Sequence, residues 1–342
     1  MAPSRSNLPL TLPAAPFGAK TRLLVALSGG ADSTALLALL SEQGAPRGLR
    51  LFAAHVNYGL RGRASQKDED AVRALCAKFK VPLRVLRLTR SEAAARREKK
   101  SLQDWARERR YAFFARACRQ TRSWGVAVAH QAEDQAETIL DRLLRGAGLK
   151  GLTGLRPLQA LTFPRGGTVR VWRPLLSFTK GELERYLRSQ GLPWREDLSN
   201  RKTHYRRNQI RRQLLPYLAK WNPQILRALL KLGEVAAAQE AFMMQALERA
   251  SRKMGGRFQS GGWSGRQASF RRMPLAIQRL LLRQKALDLH PAARGLSFDR
   301  LEEGVAVWRS DVKGPRDLGY ALSVGVDRGQ IWMRRAKGPK SS

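Results

Sequence analysis

The chain has 342 residues, room for two domains, and 43% hydrophobic content; its formal charge of +37 and pI near 11.6 exceed what solubility needs and favour a polyanionic partner, nucleic acid first and an acidic membrane surface second. Only two cysteines, Cys76 and Cys118, stand far apart, which excludes a disulfide framework and a zinc ribbon. Pro3, Pro9, Pro13 and Pro16 interrupt any signal-peptide core and no run is long and apolar enough to span a bilayer, so residues 1–20 are read as a disordered segment on a cytoplasmic protein.

The first element is the apolar run Leu23–Leu27, read as a buried strand, followed by Ser28-Gly29-Gly30-Ala31-Asp32-Ser33-Thr34 and a helix that Asp32 or Ser33 could cap. A glycine-rich loop between a strand and a helix start aims backbone N–H groups and the positive end of a helix at one spot, where Ser28, Ser33 and Thr34 add hydroxyls. That spot suits a phosphate; the same residues also make an ordinary tight turn. The stretch lacks the lysine of a Walker loop and is not a GxGxxG fingerprint.

Leu49–Val56 reads as a second strand, running into His55, Asn57 and Arg61. Ser65 with Asp68 suggests a capping box opening a helix through Lys80, and Pro82–Leu88 a third strand. Ser101 with Asp104 opens a helix through about Gln120, Val126–Ala129 is a fourth strand, and Glu133–Arg145 a helix closed by Gly146 and Gly148. This alternation predicts an α/β fold with a doubly wound parallel sheet. Ser28, His55 with Asn57, and His130 then follow the carboxyl ends of three strands, the edge where open α/β sheets build sites. Glu133, Asp134 and Glu137 join that rim on one helix start. They could complement the helix dipole, hold a divalent cation on a nucleotide, or deprotonate an amine.

Beyond Gly151, Thr168–Val171 suggests one strand of a pair and Thr179–Gln190 a helix. A cationic run with Arg201, Lys202, Arg206, Arg207, Arg211 and Arg212 has an apolar side at Ile210, Leu214 and Leu215. A domain boundary is placed at Pro216–Pro223, dividing residues 21–216 from a mainly helical basic domain, 217–342. That second part has a long helix over Gln224–Met254, a Gly/Ser-rich connection over Gly255–Gly265, helices over Leu275–Leu289 and Phe298–Trp308, and a terminal hairpin turning at Asp327-Arg328-Gly329.

The Ser28–Ser33 stretch resembles the SGGxDS loop of the PP-loop ATP pyrophosphatases. With His55–Arg61, Ala106–Tyr111, His130–Thr138, Leu143–Gly148, Arg173–Leu176, Asp197–Asn200 and Arg207–Arg211, the chain resembles the tRNA(Ile)-lysidine synthase family over residues 22–216, in consistent order. Tyr58 stands where that family usually has His, Gln131 where it has a second His, and Glu133 where it has Asp.

The resemblance implies ligation of free L-lysine to the wobble cytidine of tRNA(Ile) with a CAU anticodon, forming a carbon–nitrogen bond. ATP is consumed through an adenylated cytidine, and AMP and pyrophosphate are released. It assigns Ser28, Gly29, Gly30, Ala31, Asp32 and Ser33 to ATP, carried with Mg²⁺. Asp134, Glu137 and Arg207 take catalytic roles, and His55, Asn57, Arg61, His130, Arg173, Asn208 and Arg211 contact tRNA or lysine. The 217–342 part becomes a tRNA-binding domain. A PP-loop tRNA thiolase and a non-catalytic tRNA-binding protein are the alternatives, and monomer and homodimer are both compatible with the sequence.

Overall fold

The computed structural model describes residues 10–60, 62–89, 91–163, 166–195, 206–259, 261–310 and 314–335. The chain divides into two compact units, one through Ala236 and one from Ala237. In the first, β1 (Arg22–Leu27), β2 (Arg50–Asn57), β3 (Leu83–Arg87), β4 (Val126–Ala127), β5 (Leu158–Phe163) and β6 (Gly167–Trp172) form a six-stranded sheet of order β3-β2-β1-β4-β6-β5. All neighbouring pairs are parallel except the β5–β6 hairpin. The helices are α1 (Ala31–Gly44), α2 (Arg63–Lys78), α3 (Ser91–Arg97), α4 (Leu102–Thr121), α5 (Ala132–Leu143), α6 (Leu149–Leu152), α7 (Lys180–Ser189), α8 (Arg206–Gln209), α9 (Leu215–Trp221) and the start of α10 (Ile225–Met254).

Strand β1 shows why the sheet is covered on both faces. Leu23, Val25 and Leu27 pack with α1, α2 and α7, whereas Leu24 and Ala26 pack with α4, the two-residue period of a strand buried on both sides. The doubly wound parallel fold follows. Between β1 and β4 the winding reverses, and the carboxyl ends of these strands open a crevice there.

Three local expectations change. Residues 10–20 are ordered: Gln43 accepts from the Leu12 N–H at 2.9 Å and donates to the Leu10 carbonyl at 2.6 Å, while Phe17 packs on Trp124 and Trp172 at ring-centroid distances of 5.0 and 5.2 Å. The prolines that break a helix here let an extended segment lie on the core; residues 1–9 fall outside the described residues. Helix α1 begins at Ala31 after Gly30, without a side-chain cap, and α2 begins at Arg63 after Gly62, so Ser65 and Asp68 are not its capping box. The Ser101 cap of α4 does form, accepting from the Asp104 N–H at 3.1 Å.

The domain boundary also moves. Leu215, Leu218, Ile225, Leu226 and Leu229 pack with Ala136, Ile139, Leu140 and Ile210, so α9 and the start of α10 belong to the first unit. Pro216 sits in the first turn of α9, directly after the π-type turn Ile210–Leu214, rather than in a linker.

The second unit is α+β: helices hold most of its regular structure, and the sheet extends beyond the expected terminal hairpin. Strands β7 (Arg257–Gln259), β8 (Gly262–Arg266), β9 (Arg316–Gly319), β10 (Leu322–Asp327) and β11 (Gln330–Arg335) form an antiparallel sheet of order β7-β8-β11-β10-β9. It shares one core with α11 (Gln267–Arg271), α12 (Leu275–Leu289) and α13 (Phe298–Arg309). The stretch expected to be a connection is the β7–β8 hairpin. Two of its glycines are packing residues: a Cβ on Gly262 would stand 2.7 Å from the Met333 carbonyl oxygen, and one on Gly265 2.9 Å from Met254 Cε.

A buried carboxylate braces the β2–α2 corner. Glu69, fully buried, accepts from Arg73, Arg87 and Asn57, and these hydrogen bonds, that of Arg87 foremost, hold its pKa down to about 2. A carboxylate depressed in the folded state stabilises at pH values above its unfolded pKa, and that contribution is lost as pH falls through about 4 toward 2. Glu69→Gln is therefore expected to lower unfolding free energy at pH 7 by about 2–4 kcal/mol, less than a wholly buried pair because both arginines keep contact with water. Urea denaturation at pH 7 and pH 3 checks this: the gap between variant and wild type should shrink at the lower pH.

Candidate active site

The loop after β1 is held open by its own side chains. Ser33 Oγ accepts from the Ser28 N–H at 3.1 Å and donates to the Gly30 carbonyl at 3.1 Å, while Ser28 Oγ accepts from the Gly30 N–H at 3.3 Å. Gly29 has φ +89°, a conformation that admits glycine, and its carbonyl accepts from the Arg195 N–H at 3.0 Å. Arg195 also pairs with Asp68 at 2.6 Å, so the loop is buttressed from α2 and from the segment after α7. Ser28 is exposed, but Ser33 and Thr34 are only 3% and 1% exposed. Within the loop the Ser33 hydroxyl is engaged with Ser28 and Gly30, and Ser33 also lines the cleft that opens beside it. Local sequence does not reveal Arg195, because nothing about Trp194-Arg195 marks a partner so far away in the chain.

Beside the loop, the start of α5 carries the acids. Gln131 caps the helix and Asp134 closes a capping box, its Oδ2 accepting from the Gln131 N–H at 3.1 Å. Glu133 turns away to accept from the Lys180 N–H that begins α7, at 3.1 Å. This leaves Asp134 Oδ1 and both oxygens of Glu137 for the two arginines that follow residues 196–205, a stretch outside the described residues. Arg207 donates to Glu137 at 2.9 Å and to Asp134 at 2.9 Å; Arg211 donates to Asp134 at 3.1 Å and also to Glu137. Between α8 and α9 the helix passes through a π-type turn, Ile210–Leu214, with Arg211 inside it; such turns recur at functional sites. Glu137 is fully buried, whereas the arginine side chains are 52% and 37% exposed, so the cations sit as a lid over the acids.

Asp32 is the unsatisfied member. Its Oδ1 is buried without a hydrogen-bond partner, and burial, then the nearby charge of Asp134, raise its pKa from 3.8 to about 6. An under-satisfied carboxylate beside a second carboxylate and a phosphate-shaped loop has the chemistry to receive a hard cation. Among the described residues no group of three or more His, Cys, Asp or Glu is arranged to hold a metal. The residues therefore fit a cation that arrives on a nucleotide's phosphates, with Asp32 and Asp134 as its protein oxygens, better than a resident one.

A cleft of about 230 Å³ runs from this loop between the ends of β1, β2 and β4, lined by Ser28, Asp32, Tyr58, Arg110, Tyr111 and His130 among others. Burial and then the charge of Arg173 push the His130 pKa well down, so the ring is neutral; Arg173 donates to its Nδ1 at 3.1 Å, leaving the proton on Nε2. Arg173 is 2% exposed and also donates to the Arg156 carbonyl at 2.7 Å. His55 is 4% exposed, with Nδ1 on the Leu27 carbonyl at 2.8 Å, and Asn57 is tied to Glu69 and the Gly59 N–H. The side chains of Arg173, His55 and Asn57 are thus held within the rim. Asn208 is half-buried within α8. Arg61 and Asp197–Asn200 lie outside the described residues.

A family model described as a PP-loop domain matches residues 9–218. Curated proteins named tRNA(Ile)-lysidine synthase are similar: that of Geobacter sulfurreducens is 39% identical over 82% of this chain and 58% of its own length. That of Solibacter usitatus is 35% identical over 93% and 68%, and that of Dehalococcoides mccartyi 32% over 89% and 64%. The chain thus spans about six-tenths to two-thirds of the length of these relatives. A solved U34-tRNA thiolase of Methanococcus maripaludis superposes with a TM-score of 0.51 at 17% identity, covering 66% of this chain and 74% of that one, which is a likeness of fold.

Proposed function

The chain belongs to the tRNA(Ile)-lysidine synthase family, and from this we propose that it joins L-lysine to the wobble cytidine of tRNA(Ile) at the expense of ATP. The observation that carries the reading is one rim on which a phosphate-shaped loop, an unsatisfied carboxylate and an arginine-covered acid pair meet. In the first step the cytosine C2 oxygen attacks the α phosphorus and pyrophosphate leaves. The loop after β1 and the start of α1 would receive the departing charge. Mg²⁺, when bound with ATP, neutralises phosphate charge, and Asp32 and Asp134 are the residues that would hold it.

In the second step the lysine ε-amine displaces AMP from C2. An ammonium must first be bound and then lose a proton, work suited to Asp134 and Glu137. Both acids now hold Arg207 and Arg211. A negative α phosphate competes for those guanidiniums, so nucleotide binding would draw the arginines off the acids and open a cation site for lysine at the moment it is needed. Neutral His130 can donate from Nε2 to a carbonyl-type oxygen but has no proton to spare as a strong acid.

The excess of Lys and Arg suits the RNA backbone. No helix among the described residues is long and apolar enough to cross a membrane, which agrees with work on tRNA in the cytoplasm. A thiolase reading is less supported: two cysteines cannot supply a four-cysteine cluster, and burial raises their thiols to about 11 and 12, away from nucleophilic use. Incubation with ATP, labelled lysine and a tRNA(Ile) transcript is the test. Label in the RNA, dependent on the CAU anticodon and accompanied by pyrophosphate, is expected; ATP turnover that transfers no lysine would refute the reading.

A further inference from the structure

Helix α9 has two apolar stripes, and packing uses only one. Leu214, Leu215 and Leu218 face the core, while Tyr217 and Trp221, one turn apart, are 54% and 77% exposed and touch each other at a ring-centroid distance of 6.4 Å. A single exposed aromatic is unremarkable; a touching pair on a helix that already has its buried face is not explained by folding. The pair lies in a stretch, residues 206–233, that carries seven Lys or Arg and no Asp or Glu. It also sits on the same helical run as the arginines of the site, with Tyr217 six and Trp221 ten residues beyond Arg211, about 9 and 15 Å along a helix axis.

We propose that Tyr217 and Trp221 form a stacking platform for unpaired bases of the RNA, those next to the reacting cytidine. Paired bases in an A-form stem hide their faces, whereas loop bases can splay out and stack on aromatic side chains while nearby cations hold their phosphates. An aromatic pair in a stretch whose only charged side chains are Lys and Arg, with Arg206, Arg207 and Arg211 also paired to Asp141, Asp134 and Glu137, fits that occupant better than an apolar protein partner. At the 3.4 Å spacing of stacked nucleotides, about 9–15 Å corresponds to roughly three to four bases, within reach of a site that holds the cytidine at Arg211. The proposal rests on the lysidine synthase reading for its RNA and adds the surface that grips the loop.

The experiment measures equilibrium binding of the full chain to an anticodon stem–loop and to a blunt duplex of the same stem, over a range of salt. Trp221→Ala and Tyr217→Ala are each expected to weaken stem–loop binding about 5- to 100-fold, with duplex binding and the salt slope unchanged, and Trp221→Phe to recover most of the loss. An equal loss on stem–loop and duplex, or no loss on either, would overturn the platform. So would unchanged RNA binding together with altered sedimentation of the free protein, which would make this face a contact between copies. If wild type itself neither prefers the stem–loop nor incorporates lysine, the parent reading fails instead.

Discussion

Asp134→Asn and Glu137→Gln are each expected to cut lysine incorporation by at least roughly a hundred- to a thousandfold, the scale on which removing one aligned charge-stabilising group acts. Each carboxylate holds both arginines, so removing one acid weakens and misplaces the arginine lid. The lysine ammonium would also lose a counter-charge. The loss should therefore appear as a raised KM for lysine together with a lowered kcat, while affinity for the RNA stays close to wild type because neither acid faces outward. Glu137→Gln should also cost about 1–3 kcal/mol of stability, below the range for a fully buried pair because the freed arginines regain water. Asp134, 13% exposed, is the cleaner kinetic probe. Steady-state kinetics in lysine and in ATP checks the pattern; an unchanged lysine KM in both variants would remove these acids from lysine binding.

Asp32→Asn should separate stability from activity. The folded-state pKa, about 6, lies above the unfolded value near 3.8, so the folded protein binds this proton more tightly. Below pH 4 the side chain is protonated in both states and costs nothing. Between pH 4 and 6 it ionises in the unfolded chain first, stability falls, and above pH 6 the loss stays complete at about 1–3 kcal/mol. Asparagine keeps the shape without the charge. The variant is expected to be more stable than wild type at pH 8 by that amount, with the advantage vanishing near pH 4, and to lose lysine incorporation at every pH. Thermal or urea unfolding across this range provides the check. A variant less stable than wild type at pH 8 would mean that the Asp32 charge is already compensated in the free protein.

Much of the first unit was legible because its signals are local. Apolar runs for β1, β2 and β4, the Ser101 cap and the Glu133–Arg145 periodicity need no knowledge of distant residues. Legibility failed where a residue's role is set by a partner far along the chain. The prolines before residue 20 look disordering, yet Gln43 and two tryptophans bind that segment. Gly255–Gly265 looks like a connection until Met333 and Trp263 show why glycine is needed there. Pro216 looks like a break although Leu218 and Ile225 carry the core past it.

The site divides in the same way. The loop and acids were readable as motifs, as were Arg207 and Arg211 through the family resemblance. The bracing by Arg195 and the supporting roles of His55, Asn57 and Arg173 depend on burial, which spacing does not encode.

The most direct test of the rim as a nucleotide-activating site is a crystal structure with a non-hydrolysable ATP analogue and Mg²⁺. The triphosphate is expected against the Ser28–Ala31 loop and the start of α1, with the cation touching Asp32 and with Arg207 or Arg211 moved from Glu137 onto the α phosphate. A nucleotide bound elsewhere, or bound there while both arginines keep their carboxylates, would contradict the exchange on which both chemical steps depend.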